Sequence, residues 1–182
     1  MTPSVHDWDD ADGNGIRSVQ LVRLPAYESA FAYWGDARML DQLLHHYFEA
    51  AGRAMAGLVR VRWERGGPVV RLRWPGLPLI VMGRPTLDVT ADRRAIGVPI
   101  LGGLLSTPTQ RSRLSIVLTH CSPEIRALVV LERYRPRGHR LPIVRFVSRH
   151  VQGRLHVRVG HQFLRDLAGR WESAGSSLSP PA

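Results

Sequence analysis

Eight histidines, one cysteine and 25 basic residues, every one an arginine, hold most of the chemistry available to this 182-residue chain. The absence of lysine removes Schiff-base catalysis and a Walker-type phosphate loop, since both need its amine. Zinc binding by paired histidines fails on spacing. His45 and His46 are adjacent, and His156 and His161 are five residues apart, so neither pair shares a helix face in the His-x3-His manner. Cys121 alone can make no intrachain disulfide and reads as a small apolar filler at a strand end. Half a calcium loop stands in DADGNG, 10–15, with Asp10, Asp12 and Asn14 as oxygen donors, but Leu21 occupies the twelfth position, where a bidentate Glu belongs. Gly102-Gly103 lacks the spacing and downstream acid of a dinucleotide fingerprint. These patterns predict no metal and no cofactor.

His120 is the one candidate catalytic residue. Alternation in RLSIVLTH sets it on the side of Leu114, Ile116 and Leu118, where a core-facing imidazole can act as a general base or orient a ligand. The same position suits a structural histidine beside Cys121, and no Ser or carboxylate partner stands at a readable spacing. The reading therefore leans to binding without catalysis. A cyclase or dehydrase chemistry based on His120 is the enzymatic alternative.

The arginines concentrate in VRVRWERGGPVVRLRW, 59–74. As a hairpin, this stretch puts Val59, Val61, Trp63, Val70, Leu72 and Trp74 on one face and Arg60, Arg62, Arg71 and Arg73 on the other. Fifteen acidic residues leave a formal charge of +10, and four arginines on one face ask for counterions. Glu64, Asp88, Asp92 and Glu132 lie on expected strands or at their ends and could supply them. An all-arginine basic set also fits the codon bias of a GC-rich genome, so charge alone does not assign a partner. Two partners fit the face, nucleic acid and an anionic membrane surface. Nucleic-acid readers interleave aromatics with basic residues, whereas here Trp63 and Trp74 fall on the opposite face.

The elements that position these residues follow from periodicity. IRSVQLVRL, 16–24, is an expected strand and AYESAFAYW, 26–34, a short helix. Asp36 caps a helix over 36–56 whose core face is Leu40, Leu43, Leu44, Tyr47, Ala51 and Met55. Strands are expected at 58–64, 68–74, 77–82, 85–91, 112–120 and 125–134, while 95–106, apolar but irregular, is expected as a loop or partial strand. After Pro136, 141–152 reads as a helix. Segment 154–171 forms another, with Leu155, Val159, Phe163, Leu164, Leu167 and Trp171 on one arc and Arg154, Arg158, His161 and Arg165 opposite. The expected fold is α+β, a curved antiparallel sheet of about six to seven strands gripping a long C-terminal helix. One domain spans 16–173, between a flexible acidic tail, 1–15, and a second tail, 174–182. With no basic start or apolar run at the N-terminus, the expected location is cytoplasmic. No pattern sets an oligomeric state.

VRLPAYESAFAYWGDARML, 22–40, and HVRVGHQFLRDLAGRW, 156–171, resemble the entry helices and the C-terminal gripping helix of the START-like superfamily of polyketide cyclases, dehydrases and lipid-transport proteins. The resemblance covers about 16–173 and implies the helix-grip fold. It implies a cavity between sheet and helix for a hydrophobic or amphipathic small molecule, lipid or polyketide-like. Trp63, Trp74, Met82, Leu118, His120, Val159 and Phe163 point inward by alternation or helical phase and are the ligand-binding candidates. The alternative reading, a nucleic-acid or membrane-surface module, would use Arg60, Arg62, Arg71, Arg73, Arg154, Arg158 and Arg165.

Overall fold

Ile16–Pro25 (β2) buries every second side chain, Ser18, Gln20, Val22 and Leu24, and that alternation recurs in its neighbour Glu124–Tyr134, which buries Ile125, Ala127, Val129 and Leu131. The structure, a computed structural model, describes residues 4–9, 15–108, 111–137 and 153–178. In chain order its elements are β1 (Ser4–Asp9), β2, α1 (Glu28–Trp34), α2 (Ala37–Ala54), β3 (Val59–Glu64), β4 (Gly67–Leu72), β5 (Pro78–Met82), β6 (Thr86–Val89), β7 (Arg93–Gly102), β8 (Arg113–Cys121), β9 (Glu124–Tyr134) and α3 (Gly153–Leu178). The fold is α+β. All described strands join one antiparallel sheet in the order β1-β2-β9-β8-β7-β5-β4-β3, with β6 also on β7.

Two strands exceed the sequence expectation. Ser4–Asp9 pairs with β2, so part of the stretch expected as an acidic tail is an edge strand. The larger correction is β7, a ten-residue strand where a loop or partial strand was expected. Ala95, Ile96, Gly97 and Val98 are buried in succession, so a strand covered on both faces shows no alternation, and Gly97 and Pro99 look like breakers. One edge of β7 pairs with β8 through Arg93–Pro99, while β6 pairs with Arg94–Gly97 and β5 with Ile100 and Gly102. Gly97 allows the Arg113 side chain to cross the strand and donate to Thr86 Oγ1; a Cβ there would stand 2.3 Å from Arg113 Nε.

The helices cover one face of this sheet. Asp36 caps α2 by accepting from the Arg38 amide at 2.7 Å, and Leu40, Leu43, Leu44 and Tyr47 are buried as their spacing requires. The long helix α3 packs on α1, α2, β2 and β9. From Phe163 onward it forms a closed joint: Phe163, Leu164, Leu167 and Trp171 are buried, and Trp171 Nε1 donates to Pro25 O at 3.0 Å. Helix continues to Leu178, into the stretch expected as a tail from 174. The helix expected over 141–152 lies outside the described residues.

Candidate functional site

The N-terminal half of α3 meets the sheet differently. Leu155, His156 and Val159 do not close onto β9 but form one wall of a cavity of about 150 Å³. Helix α2 supplies Tyr47, Phe48 and Ala51, its C-cap residue supplies Met55, and β4 and β5 supply Val70, Ile80 and Met82. Ile100, Leu105, Leu114, Leu131 and Tyr134 complete the lining. Thus the last two turns of α2, where Tyr47 and Ala51 read as core face, instead border a void.

Three lining side chains carry polar atoms. Tyr134 Oη donates to Leu105 O at 2.9 Å, which satisfies that phenol. Tyr47 Oη and His156 Nδ1 lie 3.3 Å apart, with the donor set by the imidazole tautomer. Burial pushes both phenols up from their ordinary range and lowers the His156 imidazole to about 4, because in each case the charged form is the one that loses hydration. The His156 residue is half-buried as a whole, yet its ring nitrogen Nε2 is out of solvent. At neutral pH every group on the cavity wall is therefore uncharged. A second contact fixes the helix over the site: Gln20, fully buried on β2, donates through Nε2 to His156 O at 3.2 Å. Gly160 sits on the same amide, and a Cβ there would lie 2.1 Å from Gln20 Oε1.

Of the seven ligand-binding candidates, Met82 and Val159 line the cavity. Phe163 is buried behind it, its ring edge-on to Tyr47 at 5.6 Å. Leu118 is fully buried in the closed half, four residues along β8 from Leu114, or about 13 Å at strand rise. His120 is two residues further, half-buried, with its ring 5.6 Å from Phe31 of α1 and its amide donating to Asp92 O. It stands about 20 Å from the cavity end of β8, so the structure does not place the candidate base at the cavity. Trp63 lies outside, 40% exposed, stacked on His45 with ring centroids 3.9 Å apart. Trp74 is corrected outright: β4 ends at Leu72, whose amide donates to Leu77 O, so the chain has turned away from the sheet and Trp74 is 86% exposed.

Sequence reasoning missed His156. Its signal is helical phase, since His156 precedes Gly160 by four and Phe163 by seven and so shares their inward side. Its neighbours Arg154 and Arg158 masked this by making the segment look basic.

The arginine face exists in part. Arg60 pairs with Arg71 across β3 and β4, but Arg62 is opposite Val69, which is buried, so this side of the hairpin is not open throughout. Arg71 is neutralised by Glu64 at 2.9 Å and donates to Gly76 O at 3.1 Å. Asp88 pairs instead with Arg93 at 2.8 Å. On α3, Arg154, Arg158 and Arg165 are exposed. Among the described residues no three His, Cys, Asp or Glu side chains gather as a metal site, and no helix is long and apolar enough to cross a membrane.

No family model and no curated protein matches the sequence. Solved structures match at low identity. A protein from Arthrobacter aurescens, determined by solution NMR, is 11% identical with a TM-score of 0.40, covering 97% of this chain and 92% of its own. The crystal structure of Ara h 8.0201 is 12% identical with a TM-score of 0.37, covering 89% of this chain and 99% of its own.

Proposed function

We propose that the protein is a START-like, helix-grip binding protein whose ligand is a small, uncharged, mostly apolar molecule with one hydrogen-bonding group. The observation that carries this reading is the 150 Å³ cavity whose wall is hydrocarbon except for the Tyr47–His156 pair and the satisfied Tyr134. Volume sets the size. Pockets for drug-sized ligands run from about 300 to 1,000 Å³, whereas an apolar void of about 150 Å³ accommodates a single benzene ring. One ring or a short alkyl segment fits, and a long acyl chain does not.

Charge sets the class. An ionised carboxylate would lose its hydration with no cation on the wall to replace it, so a phenol, alcohol or ketone is favoured over an acid. Tyr47 and His156 can donate to or accept from such a group according to tautomer. Binding is favoured over chemistry, because an imidazole lowered to about 4 is a poor general base near neutral pH.

Titration with para-cresol and with benzoate tests the reading, followed by methyl NMR shifts of Leu114 and Val159. The phenol is expected to perturb both methyls and saturate, and benzoate to do neither. Leu114→Trp, which fills the void, is expected to abolish saturation. Equal binding of benzoate, or no binding of the phenol by the folded protein, would overturn the assignment.

A further inference from the structure

The sheet's β3–β4–β5 corner ends in an apolar tip. Trp74 is 86% exposed, Leu58 66%, Leu77 46% and Leu104 47%. The backbone gathers them: the Arg73 amide donates to Leu58 O at 2.8 Å, Leu72 to Leu77 O at 2.9 Å and Leu104 to Pro78 O at 3.0 Å. Two cationic groups flank this tip. The Arg60 guanidinium lies over Gly76 and that of Arg73 over Gly57. Unlike Arg71, neither has a carboxylate within ion-pair distance among the described residues.

We propose that this tip, Trp74 with Leu58, Leu77 and Leu104 above Arg60 and Arg73, docks on the surface of an anionic lipid bilayer. Tryptophan is the side chain most at home at the water–lipid boundary, and leucines beside it reach into the acyl region. Arginines set just behind an apolar tip meet phosphate and carboxylate headgroups at the same depth, which is the charge complementarity the two unpaired guanidiniums lack within the chain. A single-stranded nucleic acid fits less well, because it needs successive aromatic platforms along a basic groove, and the leucines would have nothing to contact. The tip adjoins the cavity, since the Leu58 amide donates to Met55 O and Leu105 follows Leu104, but docking stands whether or not the cavity holds a ligand.

Co-sedimentation of the full chain with phosphatidylcholine vesicles, with and without about a third phosphatidylserine, at near-physiological salt tests it. Binding is expected to the anionic vesicles only. Trp74→Ala should weaken it about tenfold, with Leu77→Ser as a second apolar deletion, and Arg60→Gln or Arg73→Gln about fivefold each. Arg23→Gln, at the closed end of the sheet, should leave it unchanged, which separates docking from the general attraction of a basic chain. Circular dichroism confirms that each variant is folded. Failure of the native protein to sediment, equal binding to uncharged vesicles, or a folded Trp74→Ala variant that binds as well as the native chain would overturn the proposal. So would a single-stranded oligonucleotide that binds in a Trp74-dependent way and displaces the vesicles, since it would assign the tip to nucleic acid.

Discussion

Protonating His156 puts a charge into a wall that is otherwise hydrocarbon and neutral phenol, so the native state resists a proton that the unfolded chain accepts at the ordinary value of 6.5. Between pH 6.5 and about 4 the unfolded state binds more protons, and stability rises with pH across that window. Acidification should therefore remove about 3 kcal/mol through this one group, and the loss should level off only below about pH 4. Urea melts of the native chain and of His156→Phe at pH 7, 5.5 and 4 check this, with a flatter profile expected for the variant. A second residue-scale dependence is steric. Gly160→Ala gains helix propensity of up to about 1 kcal/mol, yet its methyl would displace the buried Gln20 amide that holds the helix through His156 O, a loss of about 2–3 kcal/mol. The expected net loss is about 1–2 kcal/mol, and Gln20→Ala in the same chain should recover much of it, because the two changes share one contact. A double-mutant cycle by urea denaturation measures that coupling. Neither residue's role is visible in the amino-acid string alone, since Gln20 reads as an ordinary strand polar residue until α3 is laid across it.

At the level of elements, legibility followed how each segment meets water. The helix capped by Asp36 has one wet and one dry side, and its spacing placed it to within two residues. β7 is dry on both faces at Ala95–Val98, so its strand character left no periodic trace. The 59–74 hairpin shows a third case: alternation places Val59 and Val70 on the buried side but misplaces Trp63, which is 40% exposed, misses the burial of Val69 opposite Arg62, and misplaces Trp74, because a turn reorients side chains without changing the pattern of residue types. For α3, the apolar arc was legible, but not that half of it closes on the sheet while the other half borders a void. That difference locates stability. Trp171, fully buried with its indole bonded to Pro25 O, anchors the closed half, so Trp171→Ala should cost about 3–5 kcal/mol and Trp171→Phe, which mainly loses the hydrogen bond, about 1–2 kcal/mol. Val159→Ala, which only enlarges an existing cavity, should cost less than Trp171→Ala. Denaturation midpoints at constant m-value rank the three.

Across the whole molecule, 25 arginines face 15 acidic residues, and none of the arginines among the described residues is buried, while the cavity wall has no ionised group at neutral pH. The net charge was plain from composition; which arginines stay unpaired was not, because ion pairing depends on strand register, as in Arg71 with Glu64 and Arg93 with Asp88. This separation of charge from cavity makes salt a discriminating variable. The screening length falls from about 10 Å at 0.1 M to about 3 Å at 1 M, so interactions carried by exposed arginines weaken over that range and apolar burial does not. Para-cresol affinity, measured by calorimetry, is expected to stay within about twofold from 0.1 to 1 M sodium chloride, whereas association with anionic vesicles should fall at least tenfold. A phenol affinity that fell together with vesicle association would mean that a charged group takes part in holding the ligand, contrary to the uncharged wall formed by Tyr47, Tyr134 and His156.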